Sequence, residues 1–145
     1  MTNKSAKTYL PKASEIKRRW YEIDASKFPL GRLASRVAPL LRGKHRVDFT
    51  PHMDMGDFVV VKNAKLVKFT GGKLAQKKYH RYSGYPGGLK TATLKEVMEK
   101  KPQKVIEDAV SRMLDPNRMR SKLMARLKVV LDDKHSFKID KTIEK

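Results

Sequence analysis

The apolar and polar positions change period several times along the chain, and each change marks an element. Residues 20–25 read WYEIDA, where Tyr21, Ile23 and Ala25 alternate with Trp20, Glu22 and Asp24. That is the period of a strand with one buried face, and it predicts that Tyr21, Ile23 and Ala25 point inward. From Leu30 the spacing turns helical: Leu30, Leu33, Ala34, Val37, Leu40 and Leu41 share one stripe, while Arg32, Ser35, Arg36 and Arg42 take the other. Gly43 follows as a stop signal. Pro39 falls inside the stripe, where its missing N–H and ring clash cost about 3 kcal/mol, so a bend or an early end is expected there. FVVVKNA, residues 58–64, is a continuous apolar run of strand length that suits burial on both faces, and LVKFTG after it predicts another strand.

The C-terminal half is punctuated by capping signals. Thr93 with Glu96 forms a capping box ahead of Val97 and Met98. Pro102 suits the first turn of a helix carrying Val105, Ile106, Ala109, Val110, Met113 and Leu114. Asn117 is placed to cap a short helix through Met119, Leu123 and Met124, and RLKVVL, residues 126–131, has the β-branched residues of a closing strand. Strands alternating with helices predict an α/β layered domain. The 145 residues suffice for one core, expected over residues 19–131. A basic arm with Lys4, Lys7, Lys12, Lys17 and Arg18 is expected over residues 1–18, and a charged tail that frays over 132–145.

Charge narrows the function. The chain carries 34 Lys and Arg against 15 Asp and Glu, a formal net charge of +19, whose self-repulsion calls for a polyanionic partner. Nucleic acid fits best. No apolar run approaches the roughly 20 residues of a membrane-spanning helix. Without cysteine there are no disulfides, thiolate metal sites or thiol nucleophiles, and the N-terminus lacks a secretory apolar region, so a cytoplasmic location is expected.

Residues 58–95 hold no Asp or Glu, yet include Lys62, Lys65, Lys68, Lys73, Lys77, Lys78, Arg81, Lys90 and Lys95. An ordinary solvated face mixes signs, so this one-signed surface points to phosphate binding. Within it, residues 77–90 read KKYHRYSGYPGGLK. Lys77, Lys78, Arg81 and Lys90 can meet phosphates, and Tyr79, His80, Tyr82 and Tyr85 offer rings for stacking on unpaired bases. Gly84, Gly87 and Gly88 let the backbone approach a sugar-phosphate chain, with Ser83 beside them. A glycine-rich turn whose tyrosines cover the core explains the rings equally well, but not the rings and cations together. LRGKHR adds Arg42, Lys44, His45 and Arg46 just past a helix end, more cations than the helix dipole accounts for.

An enzyme-like alternative lies in TPHMDMGD, residues 50–57, where His52, Asp54 and Asp57 could ligate a divalent metal as a metal-dependent nuclease. No further acidic cluster completes such a site, and Asp and His in this setting more often tie a loop together. TGGK, residues 70–73, lacks the Ser or Thr and the upstream glycine of a nucleotide-binding loop. No catalytic apparatus, cofactor or small-molecule substrate is expected.

The motifs WYEIDA, LGRLAS, LRGKH, TPHMDMGD, KFTGGK, YSGYPGGLK and KKPQKVIEDAVSRML stand in one order over about residues 15–131. In that order the chain resembles the bacterial large-subunit ribosomal protein thirteen family. The resemblance implies a three-layer α/β/α domain around a mixed four-stranded sheet. It implies a structural constituent of the large ribosomal subunit that binds large-subunit rRNA beside neighbouring ribosomal proteins and supports early subunit assembly. Its RNA-binding positions would be Lys17, Arg18, Arg19, Arg42, Lys44, His45, Arg46, His52 and Lys73, with residues 77–85 and Gly87, Gly88 and Lys90. After Leu114 the chain departs from the family pattern: Arg120 and Ser121 replace a Gly-Arg pair, leaving Arg118, Arg120, Lys122 and Arg126 to carry charge there with different geometry.

Overall fold

The alternating stretch at the start forms strand β1, Trp20–Asp24, with Tyr21 and Ile23 buried, and Ala25 is buried just beyond it. The computed structural model describes residues 11–143; Lys4 and Lys7 of the expected arm lie outside them. Helix α1, Leu30–Arg42, buries the whole predicted stripe. Pro39 neither ends it early nor stops its last turn from forming. The proline costs about 3 kcal/mol, whereas Leu40 and Leu41, both buried beyond it, each return about 1.5–3 kcal/mol. Gly43, at φ 87°, closes the helix by donating its N–H to the Pro39 carbonyl at 2.9 Å.

Strand β2, Phe58–Lys62, has Val59, Val60 and Val61 fully buried, as a strand covered on both faces requires. The second strand expected at 66–71 does not form. Asn63 takes a left-handed backbone (φ 58°), and residues Ala64–Leu66 make a 3-10 turn. Beyond them Lys68 makes only an isolated bridge to Pro29.

The remaining elements are α2 (Lys73–Gln76), β3 (Lys78–Tyr82), β4 (Leu89–Thr93), α3 (Leu94–Lys100), α4 (Pro102–Met113), α5 (Met119–Ala125), β5 (Leu127–Val129) and β6 (Lys141–Ile143). The predicted caps form, with the Thr93 half of the expected Thr93–Glu96 box. Thr93 Oγ1 accepts the Glu96 N–H at 3.4 Å, Pro102 sits at the first turn of α4, and Asn117 Oδ1 accepts from Met119 at 3.0 Å and Arg120 at 3.1 Å.

The class is α/β, and both pairing senses occur, but in separate sheets. The four-stranded sheet, in order β5-β2-β1-β6, is parallel throughout, and antiparallel pairing is confined to a ribbon of β3 and β4. Helices α1 and α4 pack together over the face formed by Tyr21, Ile23, Val59, Val61 and Leu127.

The opposite face is covered by the irregular segment 132–140, where the three-layer expectation puts a helix. Trp20 stacks on Phe58 at 4.3 Å between ring centroids, and Phe137 stacks on Trp20 at 5.3 Å. His135 Nε2 lies 2.9 Å from Glu22, and Lys62 bridges Glu22 at 3.1 Å and Asp133 at 2.7 Å. Those hydrogen bonds, to Asp133 first and Glu22 second, push the Lys62 ammonium up from its ordinary value. The segment expected to fray is therefore fastened. Asp140 accepts the Trp20 N–H at 2.8 Å, and β6 then pairs with β1, Tyr21 opposite Lys141.

Candidate nucleic-acid interface

The glycine-rich segment is the end of the β-ribbon. Pairing runs from Lys78 opposite Thr93 to Tyr82 opposite Leu89. The turn between them is closed by the Gly88 N–H to the Tyr85 carbonyl at 2.9 Å and the Ser83 N–H to the Gly88 carbonyl at 3.2 Å. Gly84 and Gly87, at φ 89° and 72°, hold left-handed positions that a side chain would strain.

This ribbon buries little. Tyr85 is 75% exposed, Tyr82 63% and Leu89 60%. The reading of these tyrosines as core cover therefore fails at the tip, while Tyr79, half-buried at the base, packs against the core. Burial, and then nearby Asp108, push the Tyr79 hydroxyl up from its ordinary value.

The ribbon's charges are arranged as no isolated hairpin favours. Arg81 stands directly opposite Lys90 in the ladder, and like charges facing each other across two strands repel. Lys73, Lys77, Lys78, Arg81 and Lys90 make no ion pair among the described residues. His80 Nδ1 lies 3.1 Å from Thr91 Oγ1 on the other face, and Lys77 Nζ sits 5.3 Å from the Tyr79 ring centre.

The second basic group is held differently. Asp57 is fully buried, and its carboxylate meets Arg46 at 2.7 Å, His45 at 2.8 Å and the Arg19 N–H at 3.0 Å. Arg46 also bonds the Lys17 carbonyl. Arg126, 5% exposed, reaches Asp54 and donates to the Gly56 carbonyl at 2.6 Å, and Arg18 lies 3.6 Å from Asp54. Arg46 and Arg126, expected to face RNA, are engaged within the protein by Asp57, which is fully buried, and by Asp54, which is half-buried.

Other expected contacts divide the same way. Arg42 pairs with Asp115 at 2.6 Å, and Arg120 donates to the Leu114 carbonyl at 3.3 Å. Lys17, Arg19, Lys44, His52, Arg118 and Lys122 are exposed. Lys104 and Arg112, on α4, line a cleft with Arg81 and Lys90, and the expected RNA-binding positions include neither.

The metal reading does not hold. Among the described residues no group of three or more His, Asp or Glu is placed to hold an ion. Asp54 and Asp57 already face arginines, and His52 lies exposed. Among the same residues no helix is long and apolar enough to cross a membrane.

A rigid parallel α/β core that leaves one cationic, aromatic ribbon unpaired defines a basic scaffold protein. The chain belongs to the family described as ribosomal protein L13, whose model matches residues 18–136. It is 52% identical over 128 residues to the large ribosomal subunit protein uL13 of Natranaerobius thermophilus, covering 88% of this chain and 90% of that one. With the protein of the same name from Syntrophomonas wolfei it shares 49% over 135 residues, 93% and 94% of the two chains. With that of Clostridioides difficile it shares 48% over 130 residues, 90% and 91% of the two. These are ribosomal proteins, not enzymes.

Proposed function

We propose that the chain is a structural protein of the large ribosomal subunit that docks on large-subunit rRNA and supports early subunit assembly beside neighbouring ribosomal proteins. One observation carries the RNA reading: Arg81 faces Lys90 across a ribbon whose tip tyrosines are exposed, in a stretch with no carboxylate. An anion beside those charges would relieve their repulsion, and a phosphate chain with unpaired bases supplies both anion and stacking partner.

In this mechanism no bond is made or broken. Lys78, Arg81 and Lys90 displace counterions from phosphates while Tyr82 and Tyr85 stack on bases. The exposed cations Lys17, Arg19, Lys44, Arg118 and Lys122 add contacts from residues 17–19, the turn at 42–46 and the α5 region. The Asp57 and Asp54 networks keep the elements that present them in register, so shape dominates over base sequence.

The test is binding of the full chain to a transcript of large-subunit rRNA across a salt series. Log affinity should fall linearly with log salt, with a slope of about −0.7 to −0.9 per phosphate met. A salt-insensitive complex would overturn electrostatic docking. A cellular pool that fails to sediment with large subunits would overturn the ribosomal role.

A further inference from the structure

A cleft of about 680 Å³ opens beside the ribbon, between the first turn of α1, residues 68–73 and the last turn of α4. We infer that it seats one unpaired nucleotide of the rRNA, with the phosphate among Lys73, Lys77 and Arg112 and the base against Phe69 and Met113. This rests on the docking reading above and extends it to a site that the ribbon does not contain.

Charge is the first argument. Lys68, Lys73, Lys77 and Arg112 line the cleft, and none has an ion-pair partner among the described residues. Lys73 makes only a 3.4 Å hydrogen bond to Thr70 Oγ1. Burial first, and then Arg112 and Lys73, push the Lys77 ammonium down from its ordinary value, against a smaller opposing pull from Asp108. Three cations thus line one cleft, Lys77 half-buried and Lys73 and Arg112 exposed, and their like charges repel one another. A phosphate placed among them would relieve that repulsion.

Shape is the second argument. Apart from Thr70 and Gln76 the remaining wall is apolar: Pro29, Leu30, Phe69, Ala109 and Met113 line it, and Met113 is left 46% exposed. The volume lies within the range of small-molecule sites and accommodates a base and its sugar. An acidic peptide would satisfy the cations but offers no flat ring for Phe69 and the Met113 thioether, which favour aromatic surfaces.

Continuity is the third. Lys77 directly precedes β3, and its carbonyl accepts the Leu94 N–H at 2.8 Å, so the cleft and the ribbon base are one piece of backbone. A single strand lying along the ribbon would run into the cleft. Arg112, on α4, then becomes an RNA contact contributed by the scaffold itself.

The methyl resonance of Met113 in the full chain reports on the site, assigned by its loss in Met113→Leu. Titration uses adenosine monophosphate, a short oligoadenylate, inorganic phosphate and hexaglutamate. The expected result is a saturable Met113 shift with both adenine probes and a much smaller one with phosphate. Arg112→Gln should weaken the response about tenfold. Lys138→Gln, exposed on the segment over the opposite face of the sheet, should leave it unchanged.

No response to either adenine probe overturns the proposal, as does phosphate matching the nucleotide, which would leave a bare anion site. A stronger response to hexaglutamate overturns it in favour of a protein partner. A silent Met113 with intact transcript binding would sink the cleft and leave the docking reading standing. Lost transcript binding with a responding Met113 would sink the docking reading and, with it, RNA as the cleft's occupant.

Discussion

The parallel sheet and the antiparallel ribbon treat charge in opposite ways. Around the sheet, carboxylates and cations are matched: Glu22 and Asp133 with Lys62, Asp57 with Arg46 and His45, Asp54 with Arg126. On the ribbon nothing is matched, and Arg81 faces Lys90. The sheet also has valines buried on a doubly covered strand, whereas the ribbon has tyrosines in water. A net charge of +19 therefore does not describe the molecule evenly. Internal pairing ties those cations into the fold, whereas the cations of the ribbon make no ion pair among the described residues.

The contrast is broken most severely at Gly56, which belongs to the matched half. A Cβ there would lie 1.7 Å from the Leu41 carbonyl oxygen and 3.0 Å from the Arg126 guanidinium. Backbone has to shift, and the Arg126 bond to the Gly56 carbonyl shifts with it. Gly56→Ala should cost about 3 kcal/mol and lower Tm by about 10 °C in thermal denaturation. An unchanged Tm would mean that the junction of α1 and β2 is looser than described.

The ribbon should behave in reverse. Tyr85→Ala removes a ring that is 75% exposed, so stability should change by less than about 0.5 kcal/mol. Affinity for the rRNA transcript should nonetheless fall about tenfold, the loss of one stacking contact. A variant that melts early and binds normally would reverse the roles assigned to the two regions.

What could be read in advance follows the same division. Tyr21 and Ile23, the α1 stripe, Thr93, Pro102 and Asn117 were legible because each obeys a local rule of period or capping. The ribbon was legible as chemistry but not as strands, because without a buried face β3 has no alternation of polar and apolar residues. The strand expected at 66–71 was lost to Asn63, whose left-handed backbone no periodicity reveals. Strand β6 was hidden in a tail that reads as charged, although Phe137 and Ile139 alternate with Lys138 and Asp140. The internal partners of Arg46 and Arg126 were hidden for another reason. A sequence shows that a cation exists, whereas their partners lie 11 and 72 residues away along the chain.

The smallest expected effect comes from Asp24, at the C-terminal end of β1. Its Oδ1 accepts from the Ser26 N–H at 2.9 Å, the Ser26 hydroxyl at 2.7 Å and Asn63 Nδ2 at 3.2 Å. Burial by itself would raise this carboxyl, but those hydrogen bonds and the Lys62 charge together hold it below its ordinary 3.8. A depressed folded value means that the ionised form stabilises the fold. The contribution is complete well above 3.8 and is lost as pH falls through the lower folded value. Asp24→Asn keeps an acceptor and the shape, so at neutral pH it should cost only about 0.5 kcal/mol. Denaturation curves taken from pH 7 downward should then converge, the wild type losing its small advantage in the acid range. The ribbon, having no carboxylate between Lys78 and Thr93, contributes nothing to that convergence. Curves that stay parallel through the acid range would show that Asp24 is held by shape and not by charge.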